Sequence, residues 1–146
     1  MIIIPDFNSI LELELYLNSC IQDVVEKEIF EQVSDEIQKA VIEDVYNQYS
    51  PSEYDRTGKL ASKEVIKKYK INGVGIEVRH ERMDGGKNVS DIIEKGYGYS
   101  WLSSRIALAE PFPRPFMRNT SYRIKDKGVL LRALRLGLKR YGIKLV

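Results

Sequence analysis

From Ile21 to Val45 the apolar residues return every three or four positions, at Ile21, Val24, Val25, Ile29, Val33, Ile37, Ala40, Val41 and Val45. That spacing places them along one side of an α-helix, while Glu26, Lys27, Glu31, Asp35, Lys39 and Glu43 populate the other. At 1.5 Å per residue a continuous helix over this stretch is roughly 37 Å long. That is more than a small core requires, so the pattern predicts an elongated helix with one face to bury and one in solvent. Asn18-Ser19, with Gln22 three residues beyond Ser19, offers a cap at its start. Ser50-Pro51 marks its end, because proline disfavours a helical conformation in the residue before it.

Upstream, Ser9 followed by Glu12 is a capping-box pattern in which hydroxyl and carboxylate each satisfy an orphaned backbone N–H. It favours a short helix from Ser9 to Leu17, although the alternation of Leu11, Leu13, Leu15 and Leu17 also permits a strand. Downstream, Tyr54 to Gly58 reads as a turn, and Leu60 to Tyr69 and Val74 to Arg82 read as two strands joined around Asn72-Gly73. In the second strand Val74, Ile76 and Val78 alternate with Gly75, Glu77 and Arg79, which predicts one buried and one solvated face. Met83 to Asn88, with Gly85-Gly86 at its centre, reads as a flexible loop.

Ser90 to Lys95 makes a helical turn ended by Gly96, and an aromatic stretch, Tyr97 to Leu102, follows it. Pro111, Pro113 and Pro115 each lack a backbone donor, so Pro111 to Pro115 is a stiff connector and not a central strand. A helix is expected from about Pro115, interrupted near Asp126 to Gly128. It resumes from Val129 to Tyr141 with Leu130, Leu131, Leu134 and Leu138 on its apolar side, and Gly142 is its natural stop. Phe112 and Phe116 are expected to tuck the connector onto the sheet.

The search for chemistry is short. His80 is the only histidine and Cys20 the only cysteine, which excludes His-His zinc motifs and an internal disulfide, and leaves a reducing, cytoplasmic compartment as the default. Strand alternation sends His80 to one face and Glu77 and Glu81 to the other, so His80 reads as a partly exposed strand residue and not as a catalytic one. Neither Gly85-Gly86 nor Gly96-Tyr97-Gly98 fits a phosphate-binding loop. Ile2-Ile3-Ile4 is stopped by Pro5 and Asp6, far short of the roughly 20 apolar residues that a membrane span needs. The expectation is a single α+β domain over residues 1–146, without catalytic residues, metal, cofactor or membrane contact.

Charge is the more informative property. The chain carries a net +2, but Met1 to Glu53 holds two basic and twelve acidic residues, whereas Pro111 to Val146 holds ten basic and one acidic. Such polarity steers the two surfaces toward partners of opposite sign, or else the two ends face each other within one fold. The basic C-terminal set also suits phosphate neutralisation, with Tyr97, Tyr99, Trp101 or Tyr122 available to stack on bases.

Four segments in order carry a family resemblance. They are the long helix ending in Tyr49-Ser50-Pro51, the turn Tyr54-Asp55-Arg56-Thr57-Gly58-Lys59-Leu60 with Ser62, the stretch Ile92 to Tyr99, and Pro113-Arg114-Pro115-Phe116-Met117 opening a C-terminal helix. Together they resemble the gene-product-ten-like minor tail or head-tail joining (tail-completion) proteins of long-tailed phages. Thr57, Gly58, Pro113, Arg114, Pro115 and Phe116 are the structural motif residues of that resemblance. Arg56 departs from it, standing between Asp55 and Thr57-Gly58 where compact members have Asp-Thr-Gly, and Ile124 to Gly128 lengthens the link to the last helix.

The elements read above are expected to assemble as a long N-terminal helix and a C-terminal helix packed on a small, mostly antiparallel sheet, and the resemblance implies that no reaction is carried. It also implies a structural role at the neck or upper tail of a phage or prophage particle, as a ring that joins the head connector to the tail or terminates the tail tube. Its partners are then copies of itself and the connector and tail-tube proteins, and its place is the virion after assembly in the host cytoplasm. Nucleic-acid binding is the alternative. For a ring contact, Glu28, Glu31, Asp35 or Glu43 is expected to face a basic residue such as Arg132, Arg135 or Lys139 of a neighbour. The Gly85-Gly86 loop is expected to order against the tube or connector.

Overall fold

A computed structural model describes residues 2–48, 57–96 and 112–146. The helix end at Tyr49-Ser50-Pro51, the start of the turn at 54–56, the aromatic stretch 97–102 and Pro111 lie outside the described residues. The rest is α+β. Helix α1 covers Ile10–Val24, helix α2 Phe30–Ala40, and a π-turn at Val25–Ile29 stands between them in the chain. A second π-turn at Val41–Val45 and a 3-10 turn at Tyr46–Gln48 follow. The predicted helix is therefore present and begins eleven residues earlier than Ile21. The Asn18-Ser19 cap is not used, because both residues lie inside α1. The capping box is the working start: Ser9 Oγ accepts from Glu12 N–H at 3.1 Å, and the Glu12 carboxylate accepts from Asn8 N–H at 2.8 Å.

Strand β1 is Ile66–Lys70 and β2 is Ile76–His80. The five-residue link between them makes the pair antiparallel, since a parallel crossover needs a dozen residues or more. The first strand is shorter than expected. Lys59–Ala61 and Lys63–Val65 are 3-10 turns, set by Gly58 at φ 71° and by Ser62, whose hydroxyl accepts from Glu64 N–H. Strands β3, Met83–Asp84, and β4, Lys87–Asn88, form a second antiparallel pair, with Met83 opposite Asn88 and Asp84 opposite Lys87. The segment read as a flexible loop is thus a closed hairpin. Gly85 and Gly86, at φ 53° and 77°, supply the two left-handed positions that a two-residue turn of this hand demands.

Helix α3, Val89–Lys95, follows at once, capped by the Asn88 side chain and stopped at Gly96 with φ 72°. Helix α4 is Phe116–Lys127, and helix α5 is Val129–Leu138, continued by a 3-10 turn to Tyr141. The interruption falls at Gly128 and the stop at Gly142, both with positive φ, as the sequence predicts.

The chain divides into two compact units, each assembled from separate stretches. The first comprises Met1–Val33, Lys68–Val78 and Ile124–Val146; the second comprises Ser34–Lys67 and Arg79–Arg123. In the first unit Cys20, Val24 and Leu138 form the buried cluster, with Tyr16, Ile21, Leu134, Tyr141 and Ile143 packed on it. Its apolar centre therefore lies between helices α1 and α5. The apolar side of α5 also differs from expectation. Val129, Ala133, Gly137 and Leu138 are buried, whereas Leu130 and Leu131 are exposed. The reason is the closeness of the two helices: a Cβ on Gly137 would lie 2.4 Å from Val24 Cγ1. At Gly137 itself no side chain fits, while Leu134 and Leu138 pack on the cluster as expected and Leu130 and Leu131 lie outside it.

Within the first unit, the hairpin residues Lys68–Val78 are held to the N-terminal helical run by polar staples. Gln22 Oε1 accepts from Gly75 N–H at 2.8 Å, and its amide donates to Glu26 Oε1 at 2.6 Å. Lys68 Nζ donates to the Glu26 carbonyl at 2.6 Å and lies 4.9 Å from the centre of the Phe30 ring. Gln22, Glu26 and Phe30 are spaced by four, so they present one helical side to the hairpin.

In the second unit Ile37, Ala40, Val41, Val45, Leu60, Ile66 and Phe116 are buried. Phe116 is fully enclosed and fulfils the expectation for it, but Phe112 is exposed and anchors nothing. The connector is held instead by backbone. A Cβ on Gly96 would fall 2.3 Å from Pro113 N, and Arg114 N–H donates to the Ile93 carbonyl at 2.9 Å. Proline suits this crossing because its nitrogen has no hydrogen to satisfy.

Candidate functional site

Three polar constellations hold the titratable and nucleophilic groups of interest. The first surrounds His80, which is 6% exposed and therefore buried, not partly exposed as its strand position suggested. Its parity with Ile76 and Val78 in β2 is the sequence signal for that burial. His80 Nε2 lies 2.8 Å from the Leu60 carbonyl oxygen and Nδ1 lies 2.6 Å from Ser90 Oγ. A carbonyl only accepts, so Nε2 carries the proton and Nδ1 accepts from the Ser90 hydroxyl. Ser90 Oγ in turn accepts from Arg82 N–H at 2.8 Å. The Phe116 ring meets the imidazole edge-on at 4.9 Å between centres.

Burial lowers the pKa of His80, opposed by its bond to the Leu60 carbonyl, so the neutral ring is favoured. Every polar atom of this node is spent on a neighbour in the same unit. The arrangement is a cross-link joining the 3-10 turn at Lys59–Ala61, β2 and α3, with the Ser90 hydroxyl enclosed instead of presented to a reactant.

The second constellation is in the first unit. Asp23 takes Lys27 Nζ at 2.7 Å, Arg140 Nη2 at 3.0 Å and the Tyr141 hydroxyl, and Arg140 also reaches Glu28 Oε1 at 2.8 Å. The Lys27 bond first, then the Tyr141 bond, pull the Asp23 carboxyl down to about 2, against a small desolvation cost. The same Asp23 bond pushes Tyr141 up to about 12. The third constellation is in the second unit. Asp44 accepts from Arg123 Nη2 at 2.8 Å and from Asn119 Nδ2 at 3.2 Å, and Arg123 Nη1 reaches Glu43 at 3.2 Å.

These networks account for part of the charge polarity: acidic residues of the N-terminal helical run meet Arg140 of the closing 3-10 turn in the first unit and Arg123 of α4 in the second. Of the residues expected to face a neighbour, Glu28 holds Arg140, Asp35 holds Lys63 at 2.8 Å, and Glu43 holds Arg123. Glu31 is exposed. Arg132 Nη2 donates to the Lys127 carbonyl at 2.9 Å, and Arg135 on α5 and Lys139 in the turn after it are exposed. Gly85 and Gly86 sit exposed at the hairpin tip. Thr57 Oγ1 accepts from Lys59 N–H at 3.4 Å beside Gly58, which opens the 3-10 turn.

Sequence reasoning did not single out Asp23, and it met Gln22 only as a cap partner and Glu94 only within the Ile92 to Tyr99 stretch, not in the roles that the structure gives them. Glu94 accepts from Met117 N–H at 2.9 Å and Arg118 N–H at 3.1 Å, capping α4 from another element. No local pattern announces a cap 23 residues away. Among the described residues no group of three His, Cys, Asp or Glu side chains is placed to hold a metal ion. An open depression of about 430 Å³ lies in the second unit, lined by Lys59, Glu64, Lys67, Glu81 and Arg82 among others. Its charges are mixed, which selects no class of ligand.

Comparison with known proteins gives two matches. The YomN family matches residues 9–140. The SPbeta prophage-derived uncharacterized protein YomN of Bacillus subtilis (strain 168) is 40% identical over 107 residues, which is 73% of this chain and 73% of that protein. No solved structure matches the chain.

Proposed function

The chain belongs to the YomN family, and from that membership we propose that it is a structural virion assembly protein of a phage or prophage. In this reading it works at the neck or upper tail, joining the head connector to the tail or terminating the tail tube, as a ring and without a catalysed reaction. The observation that carries the reading is the prophage derivation of the Bacillus relative. The order of the helix, turn and Pro-Arg-Pro-Phe segments along the chain adds to it.

The polar side chains described above favour the same reading. His80, Ser90, Asp23 and Glu94 hold backbone groups and neighbouring side chains in place, which is how a small part of a larger assembly keeps its shape. The protein then resides in the virion, after assembly in the host cytoplasm. The test is deletion of its gene in an inducible prophage, with electron microscopy of the particles and mass spectrometry of purified virions. Unjoined heads and tails, together with the protein in wild-type particles, support the reading. Normal particles that lack the protein overturn it.

The exposed basic residues Arg132 and Arg135 on α5 and Lys139 just after it favour nucleic-acid binding as the second reading. Binding to duplex DNA that weakens steeply with salt is its signature.

A further inference from the structure

The first unit leaves two apolar faces uncovered, and they carry opposite charge. The opening turns of α1 are exposed on every side: Ile10 is 84% exposed, Leu11 64% and Leu15 61%, with Glu12 and Glu14 between them. No basic residue occurs before Lys27. On α5 and the turn that continues it, Leu131, Arg132, Arg135, Leu136 and Lys139 share the side turned away from the Gly137–Val24 contact, and all five are exposed, Leu136 to 64%. No acidic residue occurs after Asp126. Glu14, Arg135 and Lys139 have no side-chain partner among the described residues.

Leucines in this number on a short helix are costly to leave in water, at roughly 25 cal/mol for each Å² of apolar surface. We propose that the first turns of α1 in one copy seat on the outer face of α5 in the next, leucine against leucine and Glu14 against Arg135 or Lys139. The two faces differ, so the contact is head-to-tail: it leaves one face free on each end of a pair and builds a ring or a filament. A second copy is the occupant to which these faces commit, because one chain supplies both the acidic apolar face and the basic apolar one. This is a different pairing from the one expected from sequence, three of whose four acidic members, Glu28, Asp35 and Glu43, already hold cations of their own chain. The inference deepens the assembly reading above and rests on it for its setting.

The test uses the full chain, an α1 variant (Leu11→Asp with Leu15→Asp) and an α5 variant (Arg135→Glu with Lys139→Glu), all substituted at exposed positions. Circular dichroism confirms folding, and sedimentation over a concentration series reads association. The wild type is expected to associate beyond a dimer with rising concentration. Each variant alone is expected to stay monomeric, and an equimolar mixture to form a heterodimer and nothing larger, since one intact pair of faces remains. A wild type that stays monomeric throughout, variants that associate as the wild type does, or a mixture of folded variants that fails to pair overturns the inference. So does wild-type DNA binding that the α5 variant loses while it still self-associates, which assigns the basic face to nucleic acid. Failure here with unjoined particles on gene deletion sinks the inference and spares the assembly reading. Head-to-tail association of a protein absent from virions does the reverse.

Discussion

Gly137 lies so close to Val24 that a Cβ at that position would fall 2.4 Å from one methyl of the valine and 2.9 Å from the other. Val24 is fully buried and β-branched, so it has little rotameric freedom with which to yield. Gly137→Ala is therefore expected to destabilise the protein by about 1–3 kcal/mol through overpacking, more than the roughly 1 kcal/mol that alanine returns in helix propensity. Pairing it with Val24→Ala should cost less than the sum of the two single changes. Urea denaturation of the four proteins of the cycle measures this, and strict additivity would refute the contact.

The Asp23 network sets an acid limit. Asp23 is held at about 2 in the folded protein, against roughly 3.9 in an unfolded chain. A depressed carboxyl contributes stability that is complete above the unfolded value and is lost as pH falls from about 4 through about 2. Asp23→Asn should remove that part of the acid dependence. It should also let Tyr141 titrate below its present value of about 12, because the Asp23 bond is the main cause of the rise. Ultraviolet titration of tyrosinate follows the second effect independently of the first.

His80 works in the same pH direction for a different reason. Its folded pKa lies below the ordinary value because burial disfavours the charged ring. The unfolded chain then binds the proton first, and stability declines as pH falls through roughly 6.5 toward the folded value. His80→Phe abolishes this step but leaves the Leu60 carbonyl and the Ser90 hydroxyl without their partner, at a cost of about 1–3 kcal/mol. Denaturation midpoints at pH 5 and pH 8 should differ for the wild type by more than for the variant.

Glu94 takes two of the backbone N–H groups that α4 cannot satisfy internally, and its charge sits at the positive end of that helix. Glu94→Ala should destabilise by about 1 kcal/mol, with Glu94→Gln intermediate. Faster amide exchange at Met117 and Arg118 in the alanine variant is the local readout. Unchanged exchange there would remove Glu94 from the role.

Local chemistry explains which elements were legible in the sequence. The capping box at Ser9 and Glu12, the stops at Gly96 and Gly142 and the break at Gly128 act through residues within four positions, so each is readable where it stands. The first strand and the Met83 to Asn88 hairpin were less legible. A 3-10 turn and a strand start share similar short apolar spacing, and paired glycines serve a loose loop or a tight turn equally well.

The sequence by itself determined the α+β class, the long N-terminal helical run, the divided C-terminal helix and the end-to-end charge polarity, because propensity, capping and charge belong to residues and their near neighbours. Tertiary structure alone decided which leucines of α5 face outward, which cations hold Glu28, Asp35 and Glu43, and that Leu60, Ser90 and Phe116 are the groups that enclose His80. Each of these depends on how closely two distant stretches approach. At Gly137 and Val24 that distance leaves no room for a side chain, and no pattern along the chain encodes a distance between segments more than a hundred residues apart.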